Sequence, residues 1–139
     1  MPAEIFSGAG LCIAPHVFGE RMIYGIGIDA VDVARFKAAL EKWGERLEAR
    51  LFTEGERAYA RTKKYPERHL AARFAAKVSL HKAVGNFIPY KDIEVKRDLN
   101  GSTEFLVKGF DSKAMELNVT ISHDGELAIA ETIAEKIDK

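Results

Sequence analysis

Between positions 61 and 82, seven basic side chains (Arg61, Lys63, Lys64, Arg68, Arg73, Lys77 and Lys82) stand against one acid, Glu67. The segment carries about +6 on a chain whose formal net charge is zero. A local excess of this kind attracts phosphates, although a solvated helix face has the same composition. At roughly 100° per residue, Lys77 lies about 40° round a helix from Arg73, and Lys82 about 180°. The three flank a wide arc, across which one extended anion could meet them all. Asp29 closes the run Gly25-Ile26-Gly27-Ile28-Asp29. A carboxylate at the end of a strand either caps the next helix or holds a cation together with waters and phosphates. His123 closes a second strand-like run, Val119-Thr120-Ile121-Ser122-His123. A lone histidine in such a place is more often structural than catalytic.

The elements that must position these residues can be read from periodicity and capping. Residues 22–29 form a strong strand signal. Residues 30–48 read as helix, rich in Ala, Leu, Glu and Lys, with a break expected at Gly44. Thr53 and Glu56 fit a capping box for a short helix ending near Thr62. Residues 67–84 form the longest and clearest helix, with Gly85 as its C-terminal cap. Strands are expected at 90–97 and 103–107 around an Asp98–Gly101 hairpin turn, and again at 118–122. Residues 111–117 suit a short helix. Residues 126–136 allow either helix, by their Ala and Glu content, or strand, by the alternation of Leu127, Ile129, Glu131 and Ile133. The pattern is α+β, with one long central helix packed on a mainly antiparallel sheet.

At 139 residues, with 47% hydrophobic and 30% charged side chains, the chain has the size of a single domain. Residues 1–21 are small, Gly-containing and weakly patterned, and are expected to be an N-terminal extension or an upstream start before a domain at 22–139. The single Cys12 rules out an intrachain disulfide and fits a reducing cytoplasm. No apolar run approaches the roughly 20 residues of a membrane span. The basic block alone raises nucleic-acid binding, but no binding motif and little aromatic interleaving accompany it.

Three stretches together resemble the signature blocks of the holo-acyl-carrier-protein synthase family, in the right order and at fitting intervals. They are Gly25 to Asp29 with Asp32 and Arg35, Arg73-Phe74-Ala75-Ala76-Lys77 continued by Lys82-Ala83-Val84-Gly85, and Val119 to His123. The resemblance implies a homotrimeric 4'-phosphopantetheinyl transferase with active sites at subunit interfaces. Its reaction moves phosphopantetheine from coenzyme A to a serine of acyl carrier protein and releases 3',5'-ADP, with Mg2+ or Mn2+ as cofactor. It implies Asp29 as metal ligand and catalytic residue, and Lys82 as the group stabilising the leaving phosphate. It implies Lys64, Arg73, Lys77, Lys82, Gly85 and His123 as coenzyme contacts, and Arg35 on the carrier-protein docking surface. It also implies a strand for the final segment.

Two departures follow. The family's glutamate after the helix lysine is here Val78, which can neither ligate a metal nor accept a proton. A weakened homologue that still binds coenzyme A or carrier protein is therefore the alternative reading. The family's glycine-rich loop after Gly85 is replaced by Asn86-Phe87-Ile88-Pro89, which is bulkier.

Overall fold

The structure, a computed structural model, describes residues 20–98 and 100–138. Nearly all of the expected extension at 1–21 therefore lies outside the described residues. Among the described residues, five strands and three helices follow one another: β1 (Arg21–Asp32), α1 (Val33–Leu51), α2 (Glu54–Arg61), α3 (Pro66–Val84), β2 (Ile93–Arg97), β3 (Thr103–Val107), β4 (Met115–Asp124) and β5 (Leu127–Ile137). A three-stranded antiparallel sheet has the order β1-β5-β4, and β2 and β3 form a separate hairpin. The α+β expectation holds.

The helix boundaries have local causes. Asp32 accepts a hydrogen bond from the Arg35 backbone N–H at 3.1 Å and starts α1. Capping thus falls to Asp32 and not to Asp29, and α1 begins three residues later than its composition suggests. Gly44 breaks α1 with φ 61°, a conformation that suits glycine. The capping box of α2 is complete: Thr53 Oγ1 accepts from Glu56 N, and Glu56 Oε1 accepts from Thr53 N at 2.9 Å. Pro66 opens α3, and Gly85 at φ 79° closes it.

Helix α3 lies across the inner face of the sheet, where small residues let it approach. A Cβ at Gly25 would collide with the Ala83 carbonyl, and one at Gly27 with the Ser79 carbonyl. Ala128, Ala130, Thr132 and Ala134 of β5 line the same face and are buried. Thr132 and Ser79 share a 2.6 Å hydrogen bond between their hydroxyls.

The final segment is the central strand β5, hydrogen-bonded on both sides. Tertiary pairing there overrides helical composition. The same effect corrects the short helix expected at 111–117. Met115 and Leu117 pair with Lys136 and Ala134, so β4 already runs from Met115. Tyr90–Asp92 is a 3-10 turn, which delays β2 to Ile93.

Candidate active site

Strand β1 and helix α3 run antiparallel in close contact, and their register builds the site. Gly25 faces Ala83, and Gly27 faces Ser79 and the Lys82 Cβ. Two strand residues rise about 6.7 Å and four helix residues about 6 Å, so the two advance together. One further step carries Asp29 to the turn bearing Ala75 and Val78. Lys82 leans over this place: its Nζ donates to the Ile28 carbonyl at 2.9 Å and stands 3.5 Å from Asp29 Oδ1. Asp29 is 20% exposed at its side chain and Lys82 53%, so the pair meets solvent. An adjoining recess is lined by Asp29, Asp32, Arg35, Phe36 and Phe74, among others. Asp29, Lys82 and Arg35, all expected site residues, therefore sit on one patch.

Lys77 is not on that patch, and its expected role as a coenzyme contact is corrected. Its 40° offset turns it into the core, where it is fully buried. Its ammonium donates to Glu56 Oε1 at 2.7 Å, Leu51 O at 2.8 Å and Tyr90 O at 2.9 Å, which engages all three protons. Burial lowers its pKa, with Glu56 opposing.

Arg73 lies on the far side of α3, as its 180° offset from Lys82 requires. It is 5% exposed, its guanidinium lies 4.3 Å from the Tyr59 ring centroid, and its Nε has no hydrogen-bond partner among the described residues. Burial holds its pKa below the usual arginine value. It lines a narrow recess with His69, Arg97 and His123, and no carboxylate is among the lining residues. Burial, and then the Arg73 charge, lower the His69 pKa, which favours the neutral imidazole.

Two expected residues, Arg73 and His123, are thus brought together, but away from Lys82. His123 lies near the end of β4 and Asp29 on β1, on opposite sides of central β5. One coenzyme spanning Arg73, Lys77 and Lys82 of a single chain is ruled out by this arrangement. Lys64 is exposed near the N-terminal end of α3, with its Nζ 5.4 Å from the Tyr65 ring. Gly85 acts as the helix stop, its N–H bonded to His81 O at 2.9 Å. The loop beyond it is tied down by His81 Nε2 against Ile88 O at 2.7 Å, with Phe87 packed on the His81 ring.

His69 and Arg97 were missed as site candidates. His69 stands one helical turn before Arg73, which was a usable signal. Arg97 comes from a distant strand, and only folding reveals its place.

A divalent cation at Asp29 would find few protein donors. Among the described residues, no group of three or more His, Cys, Asp or Glu side chains is placed to hold a metal ion. Val78 has no donor atom, Asp29 is already paired with Lys82, and Asp32 caps α1. The residues present do not build a metal site by themselves.

Residues 25–130 match the 4'-phosphopantetheinyl transferase superfamily. The holo-[acyl-carrier-protein] synthase of Thermodesulfovibrio yellowstonii is 40% identical over 111 residues, covering 78% of this chain and 96% of that protein. That of Geobacter metallireducens is 36% identical over 126 residues, covering 84% and 100%. In structure, the chain resembles the Neisseria meningitidis holo-[acyl-carrier-protein] synthase with a TM-score of 0.77 at 30% identity, covering 83% of this chain and all of that one. It resembles the Bacillus anthracis enzyme in complex with CoA (3',5'-ADP) with a TM-score of 0.72 at 33% identity, covering 83% and 98%. The chain belongs to the 4'-phosphopantetheinyl transferase superfamily, among its holo-[acyl-carrier-protein] synthases.

Proposed function

We propose that the chain transfers 4'-phosphopantetheine from coenzyme A to a serine of acyl carrier protein and releases 3',5'-ADP. The observation that carries this reading is the Lys82–Asp29 pair at the open edge between β1 and α3. The serine Oγ attacks the β-phosphorus, and the bond from that phosphorus to the bridging oxygen breaks. Negative charge grows on the leaving 3',5'-ADP. The half-exposed Lys82 ammonium neutralises it at close range, where a preorganised cation is most effective. Asp29, the carboxylate paired with Lys82, takes the serine proton. Arg35, beside the same recess, meets the acidic carrier protein. Mg2+ or Mn2+ enters this reading as an ion carried by the coenzyme's diphosphate, and no step above depends on it.

The Arg73 and His123 recess, with Lys64 at the same end of α3, suits the nucleotide's phosphate. It cannot serve the Lys82 of its own chain, so we place each active site between two subunits of a homotrimer. The outer face of the sheet supports this. Ile26 and Ile28 are 55% and 58% exposed; on β5, Ile133 lies opposite Ile26, Glu131 opposite Ile28, and Ile129 opposite Ala30. Ile28→Asp should convert the assembly to monomers in sedimentation and remove transfer with it. A mutant that still sediments as the wild type would contradict that interface.

The transferase domain in this reading is 22–139, with 1–21 an addition to it. The relatives support this by aligning over nearly their full lengths while leaving about a fifth of this chain unmatched. We place the protein in the cytoplasm on the strength of its single cysteine. The direct test mixes the protein with apo-carrier protein, coenzyme A and Mg2+ and follows the carrier's intact mass. Addition of one phosphopantetheine per carrier is expected. An unchanged carrier mass with a folded enzyme would refute the activity.

A further inference from the structure

We propose that this chain holds no divalent cation of its own at Asp29, and that the Lys82 ammonium stands in the cation's place and grips the coenzyme's diphosphate directly. The inference rests on the transferase reading and concerns how the same site handles phosphate charge. Its basis is the charge and donor inventory around Asp29.

Lys82 Nζ already has the kind of partners a metal would seek: the Ile28 carbonyl at 2.9 Å and an Asp29 carboxylate oxygen at 3.5 Å. Val78 stands one turn before Lys82 on α3, and Phe74 borders the recess, so neither helix position offers an oxygen donor. The second carboxylate nearby, Asp32, accepts from the Arg35 backbone and caps α1. The Arg35 side chain lines the recess as well. Two acids and two bases face this place, for a local charge of about zero. A hard dication needs oxygen donors and anionic charge. Here it would have to displace an ammonium from its only anionic ligand, next to a second cation. A diphosphate needs neither step. It can accept directly from the ammonium, in a charge-assisted bond, and it brings its own oxygens for any ion that travels with it.

The two cation strategies predict different metal linkage. Mn2+ binding to the coenzyme-free protein, read by electron paramagnetic resonance, should be undetectable for the wild type at micromolar metal. Val78→Glu adds a carboxylate on the turn facing Asp29, and should tighten Mn2+ binding by at least about 10-fold. Coenzyme A binding, read by calorimetry, should change less than about 3-fold when a chelator replaces Mg2+. In chelator, Lys82→Met should weaken it by about 10–100-fold, the worth of a charge-assisted hydrogen bond.

Tight Mn2+ binding by the wild type would overturn the proposal. So would a collapse of coenzyme binding on chelation. The Lys82→Met arm stands whether or not Val78→Glu folds: no loss of coenzyme affinity in chelator would also overturn the proposal. These outcomes differ from a failure of the transferase reading, in which the wild type would bind no coenzyme A under any metal condition.

Discussion

Replacing Lys82 with Met is expected to lower phosphopantetheine transfer by about 10²–10³-fold, the usual loss when one preorganised donor to a developing anion is removed. Lys82 is the one expected coenzyme-binding lysine that meets Asp29, and its ammonium is half exposed where a substrate can reach it. The methionine keeps a stem against Gly27 of β1 and removes only the charge, so the fold should survive. The loss should appear as a raised KM for coenzyme A, from the lost grip on the diphosphate, and as a lowered kcat, because charge on the leaving group grows further as the bond breaks. Lys82→Arg should recover part of the rate, since its planar fork replaces a compact point charge imperfectly. Steady-state kinetics of the three proteins checks this. A Lys82→Met enzyme within about threefold of wild type would remove Lys82 from the chemistry.

Glu56→Ala is expected to destabilise the protein by about 3–5 kcal/mol, although Glu56 touches no part of the site. Its Oε1 accepts from Lys77 at 2.7 Å, and its Oε2 accepts from Val95 N at 3.0 Å. Both partner side chains, Lys77 and Glu56, are shielded from water. Removing the acid strands a buried ammonium and frees the Thr53 and Val95 amides, a large loss against a typical total of about 5–15 kcal/mol. Adding Lys77→Met should restore much of the stability, because it removes the stranded charge together with its cause. Urea unfolding of the single and double mutants measures both steps. A Glu56→Ala midpoint equal to wild type would show that Lys77 is satisfied in some other way.

These two results separate residues that the sequence presents alike. Lys77 and Lys82 both sit in the same basic helix, and both match family positions. Helical phase alone sets them about 140° apart, but it does not say which side meets water. That depends on the end of α1, on α2 and on the 3-10 turn closing over Lys77, which only the tertiary structure supplies. Asp29 was readable from its motif, yet its helix-capping alternative was settled by Asp32, whose side chain does the capping. The Thr53–Glu56 box was fully legible because it is local. Its second role, holding Lys77, was invisible for the opposite reason: the partner lies 21 residues away.

Strand β5 shows the same limit for the fold. Its alanines favour helix locally, but they are small because α3 presses on them, as it does on Gly25 and Gly27. A close helix–sheet contact thus leaves a composition that imitates another structure. The Arg73 recess was half legible. Arg73 and His123 were singled out, while Arg97 arrives from β2 and joins them only in three dimensions.

The most direct measurement is a crystal structure of the protein with coenzyme A bound. The account predicts diphosphate oxygens within about 3 Å of Lys82 Nζ, beside Asp29, with the nucleotide phosphate in the Arg73 and His123 recess of a second subunit. A diphosphate seated elsewhere, with Lys82 still resting on the Ile28 carbonyl and Asp29, would contradict it.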